Sequence, residues 1–124
     1  MDEDARRFLG RRGEEVAAQH LRRRGFDIVE RNYRTRWGEL DLVAFDGQTL
    51  VFCEVKTVRL AQVGVRPFDS LHARKRTKVR MMARQWLATR AGRSFASRLR
   101  FDAIGVTFDS AGDLAELEHL EGAF

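Results

Sequence analysis

The sequence predicts an α/β fold, with a mixed central sheet flanked by helices. Two segments, near 4–24 and 70–90, carry apolar residues at helical spacing among charged ones. Five shorter segments are rich in branched and aromatic residues and are bounded by turn formers. Their order is α-β-β-β-α-β-β, with three strands before the second helix and two after it.

The first helix is expected from about Asp4 to Arg24. Phe8, Val16, Ala17 and Leu21, with Ala18 beside them, form its apolar stripe, and arginines cover the rest. Gly25 suits the position after the helix, where a left-handed residue closes the last turn. Arg22, Arg23 and Arg24 put cations at the negative end of the helix dipole. Residues 26–33 alternate and form strand one, and Gly38 to Phe45 is strand two. Asp46-Gly47 is the strongest hairpin signal in the chain, and strand three runs from Thr49 to Thr57. Val58 to Asp69 contains Gly64 and the only proline, Pro67, and reads as a loop. Asp69 or Ser70 is the expected cap of the second helix, which runs to about Arg90 on an apolar face of Met82, Ala83, Trp86 and Leu87. Leu99 to Phe108 is strand four. A turn at 110–113 leads to strand five, Leu114 to Leu120.

At 124 residues the expectation is one domain over 1–124. A hydrophobic share of 44% supports a packed core, and no apolar run approaches the roughly 20 residues of a membrane span. The acidic, polar start lacks the apolar core of a signal peptide, so a cytoplasmic protein is expected. Cys53 is the single cysteine, which rules out an internal disulfide and a cysteine zinc cluster. The net charge of +5 agrees with a polyanion partner or with an arginine-rich solvated surface. Three lysines stand against twenty arginines, and one of the three, Lys56, lies inside a strand. A compact ammonium at that position differs in kind from a planar fork.

Strands two and three carry the chemistry. Gly38-Glu39-Leu40-Asp41-Leu42-Val43 and Val51-Phe52-Cys53-Glu54-Val55-Lys56 each place acid among core residues. Unpaired buried charge is costly, so these acids need a partner. Alternation puts Glu39 and Asp41 on one face, and Glu54 and Lys56 on one face about 7 Å apart. The hairpin makes the two strands antiparallel neighbours, which lets Asp41 approach Glu54. Two carboxylates so placed suit a hard divalent cation such as Mg²⁺ or Mn²⁺. Such a cation polarises a phosphate oxygen and lowers the pKa of bound water, and Lys56 would assist the nucleophile. The plainer alternative is a structural Glu54–Lys56 pair on a wet sheet face, which contributes little energy.

Asp41 followed by Glu54-Val55-Lys56 resembles the D…(D/E)-x-K signature of the restriction-endonuclease-like superfamily, whose core order is α-β-β-β-α-β. The closer resemblance is to the bacterial YraN-like family. It rests on Gly13-Glu14-Glu15-Val16-Ala17, Leu21, Gly25-Phe26, Arg31-Asn32-Tyr33, Gly38 to Val43, Val51 to Thr57, Arg100-Phe101-Asp102 and the closing 118–124. The resemblance implies a Holliday-junction-resolvase-like endonuclease fold. It implies Glu14, Asp41 and Glu54 as metal residues with Mg²⁺ or Mn²⁺, and Lys56 as the catalytic lysine. The substrate implied is DNA, branched or damaged, with RNA not set aside. The alternative is a nucleic-acid-binding protein of the same fold that does not cut, or a protein-interaction domain with a structural Glu–Lys pair.

The residues alone do not separate Glu14 from Glu15, and only the family pattern favours Glu14. Glu39, next to Gly38, reads as a structural or supporting acid at a strand end. Asp102 is expected to pair with an arginine, and Cys53 to pack in the core. His20, His72 and His119 lie on different elements without ligand spacing. Arg34, Arg36 and Trp37 enter strand two, Arg59 and Arg66 follow strand three, and Lys75 and Lys78 lie in the basic first half of the second helix with Arg74, Arg76 and Arg80. Arg34, Arg36, Arg59, Lys75 and Lys78 are the expected phosphate contacts, reading shape rather than sequence. A homodimer is expected if both strands of a duplex are to be cut, because the chain carries one candidate site.

Overall fold

The computed structural model describes residues 2–60, 67–70, 73–89 and 96–124, with side chains placed for all of these except 69, 70 and 73–75. The order is α1 (Glu3–Arg23), β1 (Asp27–Thr35), β2 (Gly38–Phe45), β3 (Thr49–Arg59), a 3₁₀ turn (Pro67–Ser70), α2 (Ala73–Thr89), β4 (Arg98–Phe108) and β5 (Leu114–Leu120). The strands form one sheet in the order β1-β2-β3-β4-β5. The β3–β4 pair is parallel and the other three pairs are antiparallel, so the mixed α/β architecture expected from the sequence is the one observed.

α1 opens on Asp2, whose carboxylate accepts from the Ala5 N–H at 2.7 Å, and closes before Gly25 at φ +92°. Its buried line is Leu9, Gly13, Ala17, Ala18 and Leu21. Phe8, expected in the apolar stripe, is 59% exposed. The stripe runs one residue later than the large side chains indicate, because Gly13 belongs to it and carries no hydrophobic signal. A Cβ at Gly13 would run into Thr57 Oγ1, so the missing side chain is what lets α1 lie against β3.

Helix α1 covers one core, where Leu21 and Ala17 pack with Leu42, Val51, Cys53, Ile104 and Val106. The other core, with α2, gathers Val79, Met82 and Trp86 with Leu40, Val43, Leu50 and Phe52. Trp86 is fully buried and donates to Glu30 Oε1 at 3.1 Å. Truncating a residue of this size and burial to alanine costs about 3–5 kcal/mol.

Three expectations about boundaries change. Val58 and Arg59 continue β3, because β4 pairs with it out to Phe108. Pro67 and Phe68 pack on Gly105 as a 3₁₀ turn, which Pro67's fixed φ favours and which includes Asp69 and Ser70; α2 is described from Ala73, and the start expected just after Asp69 or Ser70 falls outside the described residues. Arg34 lies in β1, not in the connection that follows it. The hairpin after β2 is as expected. Gly47 has φ +101°, and Asp46 Oδ1 accepts from the N–H groups of Gln48 and Thr49 at 2.9 and 2.7 Å.

Candidate metal centre

Glu14 of α1 and Glu39 and Asp41 of β2 each bring one carboxylate oxygen within 4.8 Å of the other two. The close seat of α1 at Gly13 sets the next residue, Glu14, at the edge of its contact line. Glu15 points elsewhere and is held by Arg31 at 2.9 Å, which lowers its pKa, with Arg22 at 3.7 Å. The helix acid at the cluster is therefore Glu14.

Asp41 sits where β2 and β3 part. The ladder between them runs from Phe45↔Leu50 to Leu42↔Cys53, and beyond it Asp41 Oδ2 accepts the Val55 N–H at 2.7 Å. Burial pushes the Asp41 carboxyl up to about 8. The Val55 bond opposes this, and the negative charges of Glu14, Glu54 and Glu39 add to it.

Glu54 stands near enough to Asp41 to raise it, but is not one of the three that converge. The phase of β3 explains this. Val51 and Cys53 pack on the α1 side, and Leu50 and Phe52 on the α2 side. Glu54 and Lys56 continue the second phase, with Lys56 Nζ 3.6 Å from Glu54 Oε1. Of the residues implied for the metal, Glu14 and Asp41 thus meet directly. Glu39, read from sequence as a supporting acid, takes the third place.

Asn32 was not singled out from the sequence. Its Nδ2 donates to Glu14 Oε1 at 3.0 Å and to Glu39 Oε1 at 2.8 Å. It is the one non-glycine residue with positive φ, +52°, among the described residues. The family pattern included it in Arg31-Asn32-Tyr33, but its role depends on a backbone angle that a sequence does not display.

Glu14 separates two clefts. One is lined by Arg7, Arg11, Asn32 and Arg34 with Glu14 and Glu39, the other by Arg6, Val55, Thr57 and Arg59 with Glu14. Arg34 is 3.6 Å from Glu39 Oε2 and largely exposed. Arg36 stacks on Trp37 at 4.5 Å in the turn between β1 and β2. Arg59 reaches the Ser110 carbonyl at 3.4 Å. Lys78 is exposed on α2, away from the acids on the other face of the sheet. The side chain of Lys75 lies outside the described residues, as do Arg66 and His72. Arg7 and Arg11 were not among the expected phosphate contacts. Their signal was i, i+4 spacing on the helix that carries Glu14.

Asp102 has the arginine partner expected of it, in a wider network. It is fully buried and accepts from Arg100 Nη2 at 2.9 Å, His119 Nε2 at 2.7 Å and the Gly122 N–H at 3.1 Å. Burial raises its pKa, but those bonds outweigh burial and hold the carboxyl below its usual range. His119 Nδ1 lies 2.9 Å from His20 Nε2, so two of the histidines that looked scattered, one on α1 and one on β5, are neighbours in the fold. Cys53 is buried in the core as expected, and burial pushes its thiol well up.

The donor chemistry of the three acids fits a hard divalent cation. All are carboxylate oxygens, and cations of the size of Mg²⁺ hold oxygens at about 2.0–2.1 Å, so ligands lie about 3–4 Å apart. A bound cation would also favour the ionised form of Asp41, which burial first and the neighbouring acids second disfavour. No described helix is long and apolar enough to cross a membrane.

Residues 13–106 match the family described as "Uncharacterised protein family UPF0102". The chain is 45% identical over 121 residues to a UPF0102 protein of Pelotomaculum thermopropionicum, covering 98% of each. It is 45% identical to one of Frankia casuarinae, covering 97% of this chain and 98% of that one. A Rhodococcus jostii relative is 40% identical over 94% of this chain and 95% of its own. Glu14, Glu39 and Asp41 all fall within the matched residues, and the chain belongs to the UPF0102 family.

Proposed function

We propose that this protein is a metal-dependent nuclease that hydrolyses phosphodiester bonds of DNA, branched or damaged DNA above all, using Mg²⁺ or Mn²⁺. One observation carries the reading. Three carboxylates from two elements converge within 4.8 Å beside arginine-lined clefts. Acid alone would repel a polyanion, and arginine alone would bind without chemistry. The two together suit a phosphate drawn onto a cation.

Glu14, Glu39 and Asp41 would hold the cation, with Glu54 beside Asp41. The cation supplies Lewis acidity toward a phosphate oxygen and a more acidic bound water. Arg7, Arg11 and Arg34 on one side of Glu14, and Arg59 on the other, would grip phosphates flanking the scissile one. Lys56, held by Glu54 in the other phase of β3, would offset negative charge in the transition state rather than touch the attacking water. Water oxygen would bond to phosphorus and give up a proton to solvent, the bond to the leaving sugar oxygen would break, and that oxygen would take up a proton.

The test is a cleavage assay on single-stranded, duplex and four-way-junction DNA with Mg²⁺ or Mn²⁺, comparing wild type with Asp41→Ala and Lys56→Ala. Metal-dependent cutting lost by at least a hundredfold in Asp41→Ala is the expected result. Cutting that survives both changes removes the assignment. The arginines that line both clefts favour a second reading, a protein of the same fold that binds nucleic acid without cutting. That reading predicts salt-sensitive binding and intact substrate under every metal.

A further inference from the structure

Asn32 is the strained residue nearest the acids. Arg31 and Asn32, adjacent in sequence, both reach α1, at Glu15 and Glu14 respectively. The next residue, Tyr33, crosses to the other face and meets Gln85 of α2 at 3.1 Å. A regular strand cannot send two neighbours to one side. The left-handed φ of +52° at Asn32 makes the break. β2 breaks step at the same level. Leu40 packs on the α2 side, while Asp41 and Leu42 both serve the α1 side. The facing pairs Arg31↔Leu42 and Tyr33↔Leu40 bracket this step.

We propose that Asn32 is a positioning residue for the acid centre, an inference that rests on the metal-centre reading above. Asparagine combines two properties needed here. It tolerates the left-handed region better than almost any non-glycine residue. Its amide also offers two N–H donors and no charge, one for each of two carboxylates. Glu14 and Glu39 come from different elements and repel each other, and Asn32 ties both to one nitrogen. A lysine or arginine in that place would neutralise the acids and hold a cation off. The amide keeps them assembled and leaves their charge for the cation. Partners that orient ligands in this way typically contribute 10–100-fold in metal affinity.

The experiment is calorimetric Mn²⁺ titration and thermal melting of the whole chain as wild type, Asn32→Gly, Asn32→Ala and Glu14→Gln. Asn32→Gly keeps the left-handed backbone and drops the amide. It should bind Mn²⁺ about tenfold more weakly or worse, with the metal-free melting temperature of wild type. Asn32→Ala should weaken Mn²⁺ as much and melt lower, since alanine resists that backbone. A merely structural asparagine would lower melting in Asn32→Ala and leave the Mn²⁺ affinity of Asn32→Gly at the wild-type value. That result overturns the inference while leaving the centre standing. A wild-type chain that takes up no Mn²⁺ overturns the centre itself, and the role of Asn32 with it.

Discussion

Asp41 is subject to opposed forces, and the balance is measurable. Its folded pKa of about 8 lies above its ordinary 3.8, so between those values the folded chain binds more protons than the unfolded one. Stability of the metal-free protein should therefore fall as pH rises from about 4 to about 8, and level off above. Asp41→Asn removes this slope. Melting followed against pH should show the variant several degrees more stable than wild type near pH 8.5, with no gain at pH 4. A variant that tracks wild type across the range would show that Asp41 is ionised in the fold. Burial of one carboxylate among apolar neighbours was legible in the sequence around Leu40, Leu42 and Val43. The choice between Glu14 and Glu15 was not. Each step along a helix turns about 100°, and the stripe of large residues misplaces the contact line by one position. Only the seat of Gly13 on Thr57 fixes which glutamate faces β2.

At the scale of elements, the helix–strand contact at Gly13 decides whether the centre assembles. Gly13→Ala would normally favour a helix by up to about 1 kcal/mol. Here its methyl meets Thr57, so α1 must lift from β3. We expect a net loss of about 1–3 kcal/mol by denaturant melting, and weaker Mn²⁺ uptake, because Glu14 moves with the helix. Gly13→Ala paired with Thr57→Ala, which removes the Oγ1 that the new methyl meets, should recover part of both. The elements themselves were largely legible. β2 and β5 have the expected ends, and the Asp46-Gly47 turn has the expected form. What sequence periodicity could not display is a change of phase within a strand. The step at Asn32 and Asp41 brings Glu39 into the centre, and β3 without such a step carries Glu54 and Lys56 in the other phase. Two strands with similar acid patterns thus contribute differently.

Across the whole molecule, charge is divided between floor and rim. The net charge is only +5, but arginines flank the acids on both sides of Glu14. If Arg7, Arg11, Arg34 and Arg59 each engage a phosphate of a single strand, log affinity against log salt should have a slope near −3, from about 0.7 per contact. Removing Arg7 and Arg11 together should reduce that slope by about half, measured by fluorescence anisotropy between 50 and 200 mM salt, whereas Lys78→Ala should leave it nearly unchanged. Loss of slope in Lys78→Ala instead would move the binding surface to α2. The sequence by itself determined the α/β class, the order of elements and the presence of acids in core strands. Periodicity, turn chemistry and hydrophobic patterning are local and survive in a linear text. The tertiary structure alone decided which acids meet, that Asn32 ties two of them, and that His20 and His119 are neighbours. Those outcomes depend on strand register, on a single left-handed residue and on how closely a glycine lets a helix approach, and each is set only when distant segments pack.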